Sequence, residues 1–272
     1  MRGTIDERIL AATDPSLRDD LLRAVAAARA ATREIRRVGV QGVQEKGSAK
    51  DIVTAADQAA ERAAIEALAL RADERLIAEE SAPLTLDDRR SWLIDPLDGT
   101  MNFAHGIPFY GPAIALTEGR EPLVAATIDV EHDELFLASR GGGAWLIRGG
   151  TPARRLQRSD RPIEGATCYV GLWGPGDESI AEVILAAGAS IRAGGASAIG
   201  LAWTAVGRFD AYIQRGHLWP WDVAGGILLA RESGLTVATD RLGSSDGAAT
   251  IIAAPAQIMP TLVRALGSLP PR

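Results

Sequence analysis

Residues suited to a helix core recur at helical spacing near the start of the chain. Between 17 and 38 they follow one another at alternating steps of four and three: Leu21, Val25, Ala28, Thr32 and Ile35. This spacing predicts one amphipathic helix, and Gly39 and Gly42 predict its end. The next segment, "QEKGSAKDIV", predicts a polar loop, after which an alanine-rich helix begins near Thr54.

Short apolar runs that end in acidic residues predict strands in "RLIAEES" and "SWLIDPLDGT". From 112 to 147 the apolar residues come in short pieces broken by glycine and proline, which indicates antiparallel strands. The rest of the chain alternates between the two element types: a strand in "GATCYVGL", a helix at 177–188, a strand in "SIRA", a helix in "ASAIGLAWTAVG", a strand in "FDAYI", a helix in "WDVAGGILLARESG" closed by Gly234, a strand in "ATIIAA" and a helix from Pro255 to Leu266.

Helices and strands therefore interleave along the whole chain, without a repeat or a low-complexity linker. This order predicts a layered α/β or α+β architecture. Because no boundary is visible, we expect residues 1–272 to form a single unit.

Composition excludes several classes of partner. The 29 basic and 35 acidic side chains give a formal net charge of −6, which offers no general attraction to nucleic acid or to an anionic membrane. Cys168 is the only cysteine, so neither an internal disulfide nor a cysteine-rich zinc site can form. No stretch approaches the ~20 apolar residues of a membrane span, and the first residues do not resemble a secretory signal. We therefore expect a cytoplasmic protein.

Acidic residues end several of the apolar runs: Glu79 and Glu80 in "LIAEES", Asp95 and Asp98 in "LIDPLDGT", and Asp222 in "PWDVAGG". Carboxylates that converge repel one another unless they are protonated or a cation neutralises them. Oxygen ligands without cysteine or histidine partners favour Mg²⁺, Mn²⁺ or Ca²⁺ over zinc.

The turn after Asp95 has two interpretations. Pro96 fixes the exit from the strand, and Gly99 allows a ligand to approach the backbone closely. The following "GTMN" can begin a short helix whose free amides bind an anion such as a phosphate ester. The alternative is a plain solvated corner. Two other motifs fail, because Pro96 replaces the nucleophile of a D-x-D-G-T phosphatase and Gly106 replaces the last ligand of an EF-hand.

Four segments carry a family resemblance. "WLIDPLDGTMNF" resembles the first signature of the inositol monophosphatase family, and "WPWDVAGGILLARESG" resembles its second. "EKGSAKDIVTAAD" and "IAEES" resemble its two upstream segments, in the family's order. The resemblance runs from about Lys46 to the last predicted strand, and four ordered segments are far more specific than either signature alone.

The resemblance implies an α+β layered fold, the αβαβα five-layer sandwich of the inositol monophosphatase and sugar phosphatase type. It implies a phosphatase in which water activated by metal hydrolyses a small-molecule phosphate monoester of the inositol monophosphate kind. About two or three Mg²⁺ ions per site are implied, with Mn²⁺ as a substitute and Li⁺ as an inhibitor. A homodimer is implied as well, with neither nucleic acid nor a membrane as partner.

Metal ligands follow from the resemblance by position. Glu79 matches the glutamate that binds the first metal and contacts a third. Asp95 matches the aspartate that bridges the first two metals, and Leu97 supplies its carbonyl oxygen to the first. Asp98 and Asp222 match the ligands of the second metal.

Other roles follow in the same way. Thr100 matches the threonine that orients the attacking water together with Glu79 or Asp57. Gly99 and Thr100 match the amides that receive the phosphate. Lys46 matches the lysine of the mobile loop near the metals.

Simpler interpretations exist for several of these residues. Thr54 and Asp57 form the T-x-x-D pattern of a capping box. Asp222 could be a first-turn acid that interacts with a helix dipole. Glu80 is expected to be exposed. Two aromatic residues are expected to pack rather than to bind: Trp219 and Trp221.

The sequence departs from the family at a position that would contact the alcohol portion of the substrate. Inositol monophosphatases carry an acid seven residues before the aspartate of the second signature, and Arg215 stands there in this chain, or Gln214 if the register slips by one. A guanidinium has five donors and no acceptor, which suits a second anion better than a polyol.

Several alternatives to inositol monophosphate therefore stay open. The substrate could be doubly anionic, such as fructose bisphosphate or a 3′-phosphoadenosine nucleotide, or it could be histidinol phosphate, whose ammonium Arg215 would repel. A non-catalytic binding or regulatory member of the family is the alternative from a different class, and the complete set of five site residues disfavours it: Glu79, Asp95, Asp98, Thr100 and Asp222.

Overall fold

The computed structural model describes residues 5–48, 51–81, 86–240 and 249–267. Helices account for much of this part of the chain: α1 Glu7–Ala12, α2 Arg18–Val38, α3 Ala55–Leu68, α4 Thr100–Ala104, α5 Glu178–Ala186, α6 Ser197–Val206, α7 Pro220–Glu232 and α8 Met259–Gly267, with a 3-10 turn at Pro15–Leu17. In the described residues no helix is long and apolar enough to cross a membrane.

Strands fill the intervals between these helices: β1 Gln44–Ser48, β2 Asp51–Val53, β3 Arg75–Ala78, β4 Arg90–Asp98, β5 Gly111–Glu118, β6 Glu121–Asp129, β7 Glu134–Ser139, β8 Gly143–Arg148, β9 Arg154–Arg155, β10 Thr167–Gly171, β11 Ser190–Arg192, β12 Ala211–Arg215, β13 Thr236–Asp240 and β14 Thr250–Ala254. β1 and β2 form a separate antiparallel hairpin.

The other strands form two sheets. The larger has the order β3-β4-β5-β6-β7-β8-β9, in which β3 and β4 are parallel and the remaining neighbours are antiparallel. The smaller has the order β11-β10-β12-β14-β13, with β10 parallel to both of its neighbours. The antiparallel strands predicted for 112–147 are therefore confirmed.

The elements stack in five layers. Helices α2 and α3 cover one face of the larger sheet, and α6 and α7 cover the other. α6 and α7 also contact the smaller sheet, whose far side is covered by α5 and α8. This is the predicted α+β layered αβαβα sandwich, and separate apolar cores fill the spaces between its layers.

α2 follows the apolar spacing of the sequence. Leu21, Val25 and Ile35 are buried against the larger sheet, and Gly39 ends the helix with a φ of 66°. A residue with positive φ at a helix end is usually glycine, because a side chain there would be strained. The predicted helix and its end are confirmed.

In the middle layer, α6 and α7 pack closely against each other. A Cβ added at Gly226 of α7 would lie 2.5 Å from side-chain atoms of Leu201 on α6. The backbone fixes the position of a Cβ, so an added methyl group could not avoid this contact. Glycine therefore allows the two helices to lie this close. Both helices carry residues of the candidate site at their first turns.

Two predictions of secondary structure need correction, and the strand β13 was missed. The polar segment before α3 is the β1–β2 hairpin rather than a loop, although residues 49 and 50 of that segment lie outside the described part. The last helix begins at Met259, and Pro255 instead starts a turn closed by the Ile258 amide at 3.0 Å. β13 was not predicted, because its alternating and largely exposed residues carry little apolar signal.

A buried ion pair ties α2 to the segment before β3. Glu74, with a side chain 1% exposed, accepts from Arg23 Nη2 at 2.6 Å and from the Arg71 amide at 3.0 Å. Burial alone would raise the pKa of Glu74, yet these hydrogen bonds lower it to about 2. Since the folded pKa lies below the unfolded value, the pair stabilises the fold above about pH 4.5, and this stabilisation is lost as the pH falls toward 2.

We expect Glu74→Gln to lower the free energy of unfolding by about 2–3 kcal/mol at pH 7. Urea denaturation of both proteins at pH 7 and near pH 3 measures it. The difference between variant and wild type should shrink at the lower pH, because near pH 3 the Glu74 carboxyl of the unfolded chain is largely protonated while that of the folded protein is still ionised. A difference that does not depend on pH would contradict the assignment.

Candidate active site

Asp95 and Asp98 lie at the end of β4, where the strand carries a bulge. Asp95 is opposite Ala113 and Asp98 is opposite Gly111, so three steps on β4 match two on β5. Residues three apart on a regular strand point to opposite faces. The extra residue brings the two carboxylates back to a common face. Pro96 fits the bulge because it has no N–H to give to the sheet.

Asp98 is held by the start of α6. Its Oδ1 accepts from the Ser197 amide at 2.9 Å, and its Oδ2 accepts from the Ile199 amide at 3.0 Å. The first amides of a helix lack partners within the helix and favour a negative charge. Burial raises the pKa of Asp98 to about 7 although these amides oppose the rise.

Glu79 follows β3 and is paired with a lysine of the hairpin. Lys46 Nζ lies 2.8 Å from Glu79 Oε1 and 2.5 Å from Glu80 Oε1. Burial raises the pKa of Glu79, and the Lys46 ammonium opposes this rise. Glu80 was expected to be exposed, and this is wrong. Its side chain is 12% exposed and forms an ion pair with Lys46.

Asp222 lies in the first turn of α7 and caps it. Its Oδ2 accepts from the Trp219 amide at 2.7 Å, so the simpler interpretation of this acid is confirmed. The same side chain nevertheless belongs to the acidic cluster. Burial raises the pKa of Asp222 well above its ordinary value, and the charges of Glu79 and Asp98 raise it further.

The tryptophans beside Asp222 pack as expected. The rings of Trp219 and Trp221 stack with their centroids 5.6 Å apart, and Trp221 contacts the core at Ile77 and Leu93.

Asp57 links the start of α3 to the start of α4. Its Oδ2 accepts from the Thr54 amide at 2.8 Å and from the Thr54 hydroxyl at 2.5 Å, which completes the predicted capping box. Its Oδ1 accepts from the Thr100 hydroxyl at 2.8 Å, and that hydroxyl also lies 3.0 Å from the Leu97 carbonyl oxygen. One buried carboxylate therefore caps α3 and also holds the Thr100 hydroxyl, and its role in the reaction stays a prediction.

Gly99 precedes α4 in a conformation that requires glycine. Its φ is 84°, and an added Cβ would lie 2.9 Å from the Phe109 carbonyl oxygen and 3.0 Å from Ala196 Cβ. The Phe109 carbonyl and Ala196 occupy the space that a side chain would take, so only glycine fits here. Close approach of a ligand to this backbone stays a prediction.

The acidic side chains act on one another. Asp95 is 2% exposed, and burial raises its pKa well above the ordinary value. The charges of Glu79, Asp98 and Asp222 raise it further. Such mutual effects require the four carboxylates to lie close together, so the structure brings together four of the five acids that the sequence selected.

A sequence model of the inositol monophosphatase family matches residues 17–269, nearly the whole chain. The chain belongs to the inositol monophosphatase family. It is 38% identical over 200 residues to the inositol-1-monophosphatase of Rhizobium meliloti, covering 71% of this chain and 73% of that protein. It is 36% identical over 194 residues to the Nus factor SuhB of Xylella fastidiosa, covering 69% and 68%.

Solved structures agree with the family. The extragenic suppressor protein suhB of Bartonella henselae is 34% identical, with a TM-score of 0.78 over 90% of this chain and 97% of that one. By family and relatives, this inositol monophosphatase family member is a phosphoric monoester hydrolase.

The donor set of this family member suits a hard cation, because every candidate side chain binds through oxygen. As the side chains stand, no group of three or more acidic, histidine or cysteine residues in the described ranges is arranged to hold a metal ion. The Lys46 ammonium lies 2.8 Å from Glu79 Oε1, and its charge lowers the pKa of Asp222 against the effect of burial. A metal ion that used Glu79 Oε1 as a ligand would compete with Lys46 for that oxygen.

The two residues that could face the alcohol portion of the substrate, Gln214 and Arg215, have different surroundings. Gln214 is fully buried and its amide is satisfied by Tyr212, Ser197 and two backbone carbonyls, so it does not face a substrate. Arg215 lies at the end of β12 with Nη2 3.7 Å from Asp177 Oδ1. Its role toward the substrate stays a prediction.

We expect Lys46→Met to strengthen Mg²⁺ binding by about three- to tenfold, because a metal no longer displaces an ammonium from Glu79. Lys46→Arg is the matched control and should stay near wild type, since it keeps the charge. Isothermal titration calorimetry with Mg²⁺ and no substrate measures the affinity. Equal or weaker binding to the Met variant would rule out competition between the lysine and the metal.

Proposed function

We propose that this chain is a Mg²⁺-dependent phosphatase that hydrolyses a small phosphate monoester, with water as the nucleophile. The observation that carries the proposal is the convergence of Glu79, Asp95, Asp98 and Asp222. Beyond the effect of burial, the charge of Glu79 raises the pKa of all three aspartates, and the charges of Asp98 and Asp222 raise the pKa of Asp95 further. A protein that only needed solubility would leave such carboxylates in solvent. Their burial together is typical of a site that neutralises them with metal ions.

The proposed ligands divide between two ions. Glu79, Asp95 and the Leu97 carbonyl would hold the first, and Asp95, Asp98 and Asp222 the second. Bound Mg²⁺ supplies charge neutralisation and makes the attacking water more acidic. Mn²⁺ as a substitute, a third ion near Glu79 and inhibition by Li⁺ are carried from the family and stay predictions.

Thr100 is suited to orient the water. Its hydroxyl hydrogen is directed to Asp57 at 2.8 Å or to the Leu97 carbonyl at 3.0 Å. The oxygen lone pairs therefore stay available to accept a hydrogen bond from water, and by the family's pattern Glu79 would be the second acceptor. The amides of Gly99 and Thr100 at the start of α4 would receive the phosphate.

The alcohol of the substrate stays open among inositol monophosphate, a doubly anionic ester and histidinol phosphate. Arg215 carried the argument for a second anion, and its charge is offset by Asp177 at 3.7 Å. This contact weakens the doubly anionic alternative, because the pair presents less positive charge than a lone guanidinium.

A binding role is the second candidate, because relatives of this chain are named Nus factor SuhB. The intact acids favour catalysis, although one protein can do both. A folded chain that releases no phosphate from any ester with Mg²⁺ or Mn²⁺ would favour binding alone. The homodimer, the cytoplasmic location and the single unit at 1–272 stay predictions.

Phosphate release should require added Mg²⁺ or Mn²⁺ and stop in excess EDTA. Asp95→Asn should lower kcat/KM by about a thousandfold or more, because this carboxylate serves both ions. Asp98→Asn and Asp222→Asn should recover part of their loss at high Mg²⁺, since each serves one ion. A malachite-green assay over a Mg²⁺ series measures all three, and full turnover in chelator would end the proposal.

Asp57→Asn separates the cap from the catalytic role. Asparagine caps helices about as well as aspartate, so the melting temperature should change little. Its amide cannot accept from both Thr54 and Thr100 as the carboxylate does, so kcat should fall on the order of 10²- to 10⁴-fold. Thr54→Ala is the matched control: it should lower the melting temperature while most of the turnover is kept. Full activity of Asp57→Asn would assign the residue to capping alone.

A further inference from the structure

Glu61 is a buried acid that has no part in the chemistry above. It lies on α3, four residues after Asp57, and is 3% exposed. Its Oε2 accepts a hydrogen bond from the Glu80 amide at 2.8 Å. Burying a carboxylate costs free energy, which a hydrogen bond of this kind offsets in part. A residue kept at such a cost calls for an explanation beyond helix formation.

α3, which carries this acid, is itself held firmly by its neighbours. Four of its side chains, at steps of four residues, are fully buried in one core with α2 and the larger sheet: Ala56, Ala60, Ala64 and Leu68. Asp57 and Glu61 form the adjacent row on the same helix, because residues four apart lie on one side. One turn separates them by about 6 Å along the axis. The helix therefore holds the two carboxylates at a set distance.

The two peptide groups that flank Glu79 are both held. The Glu79 amide donates to the Ile94 carbonyl of β4 at 3.2 Å, just beyond the end of β3. The Glu80 amide belongs to the next peptide group and donates to Glu61. A peptide group is planar, so fixing its N–H fixes the plane that contains the Glu79 Cα. The direction of the Glu79 side chain thus depends on β4 on one side and on α3 on the other.

The hold through Glu61 is compatible with a metal ion at Glu79. The contact of Lys46 with Glu79 uses Oε1, the oxygen for which a metal ion would compete. The contact of Glu61 uses only the following backbone amide and leaves both carboxylate oxygens of Glu79 available as ligands.

α3 also positions Thr100, the residue proposed to act with Glu79 on the attacking water. Asp57 Oδ1 accepts from the Thr100 hydroxyl at 2.8 Å. Burial raises the pKa of Glu79 and the charge of Asp57 raises it further, as expected for carboxylates that lie near each other. Asp57 thus holds Thr100, and Glu61 holds the backbone of Glu79, from successive turns of one helix.

We propose that Glu61 is a positioning residue, which fixes Glu79 relative to Thr100 by holding the Glu80 amide. This inference rests on the proposed phosphatase function and deepens it. In that function Glu79 is a ligand of the first metal ion and an acceptor for the attacking water. Loss of the hold should therefore weaken Mg²⁺ binding and lower kcat, with little effect on KM for the ester.

Glu61→Met tests the proposal, because it removes the acceptor but keeps the length of the side chain and a high helix propensity. Isothermal titration calorimetry without substrate should show Mg²⁺ binding about 10- to 100-fold weaker, the usual loss when a residue that orients a metal ligand is removed. Glu61→Ala, a second variant without the acceptor, should show the same loss. Glu61→Gln should restore most of the affinity and of kcat, because its amide oxygen accepts the same hydrogen bond.

Ala64→Gly is the matched control, since it weakens the same helix and leaves the acceptor in place. It should lower the melting temperature and leave the Mg²⁺ affinity unchanged. Wild-type affinity in Glu61→Met and Glu61→Ala would overturn the inference, and so would an equal loss of affinity in Ala64→Gly. Mg²⁺ binding by the wild type without phosphate release from any ester would instead refute the proposed function itself.

Discussion

The repulsion among four acidic side chains is the constraint on which the rest of this structure depends. Asp95, Asp98 and Asp222 all have a raised pKa, because burial and their neighbours both oppose a negative charge. A fold that keeps these groups together must supply compensation from elsewhere. It comes from the first amides of α6, from an amide at the start of α7, and from the Lys46 ammonium of the hairpin.

This requirement explains the middle helix layer. α6 and α7 lie between the two sheets, and each directs its amino-terminal end at one of the acids. The close contact at Gly226 fixes the spacing of the two helices and hence of their ends. Electrostatics at the site and packing in the core are therefore coupled. Moving α6 would remove the hydrogen bonds of Asp98, and moving α7 would shift Asp222 relative to the other acids.

Much of this arrangement could be predicted from the sequence, because it rests on local patterns. The apolar spacing of α2 and the two aspartates at the end of β4 were predicted and lie where expected. The bulge at Pro96 was not predicted, since the pattern shows that two aspartates are three apart but not that the strand gains a residue. The exposure of Glu80 was misjudged because its partner Lys46 is 34 residues away in the chain.

Asp57 shows why a local pattern can be correct and still incomplete. The T-x-x-D pattern predicts a cap from four residues, and the cap forms. The second oxygen of the same carboxylate accepts from Thr100, 43 residues further on. Nothing in the capping pattern requires this contact, and nothing in it forbids the contact either. A carboxylate has enough acceptor sites for both tasks, so helix capping also fixes the carboxylate that positions the Thr100 hydroxyl. The stability of α3 and the position of the Thr100 hydroxyl then depend on one side chain.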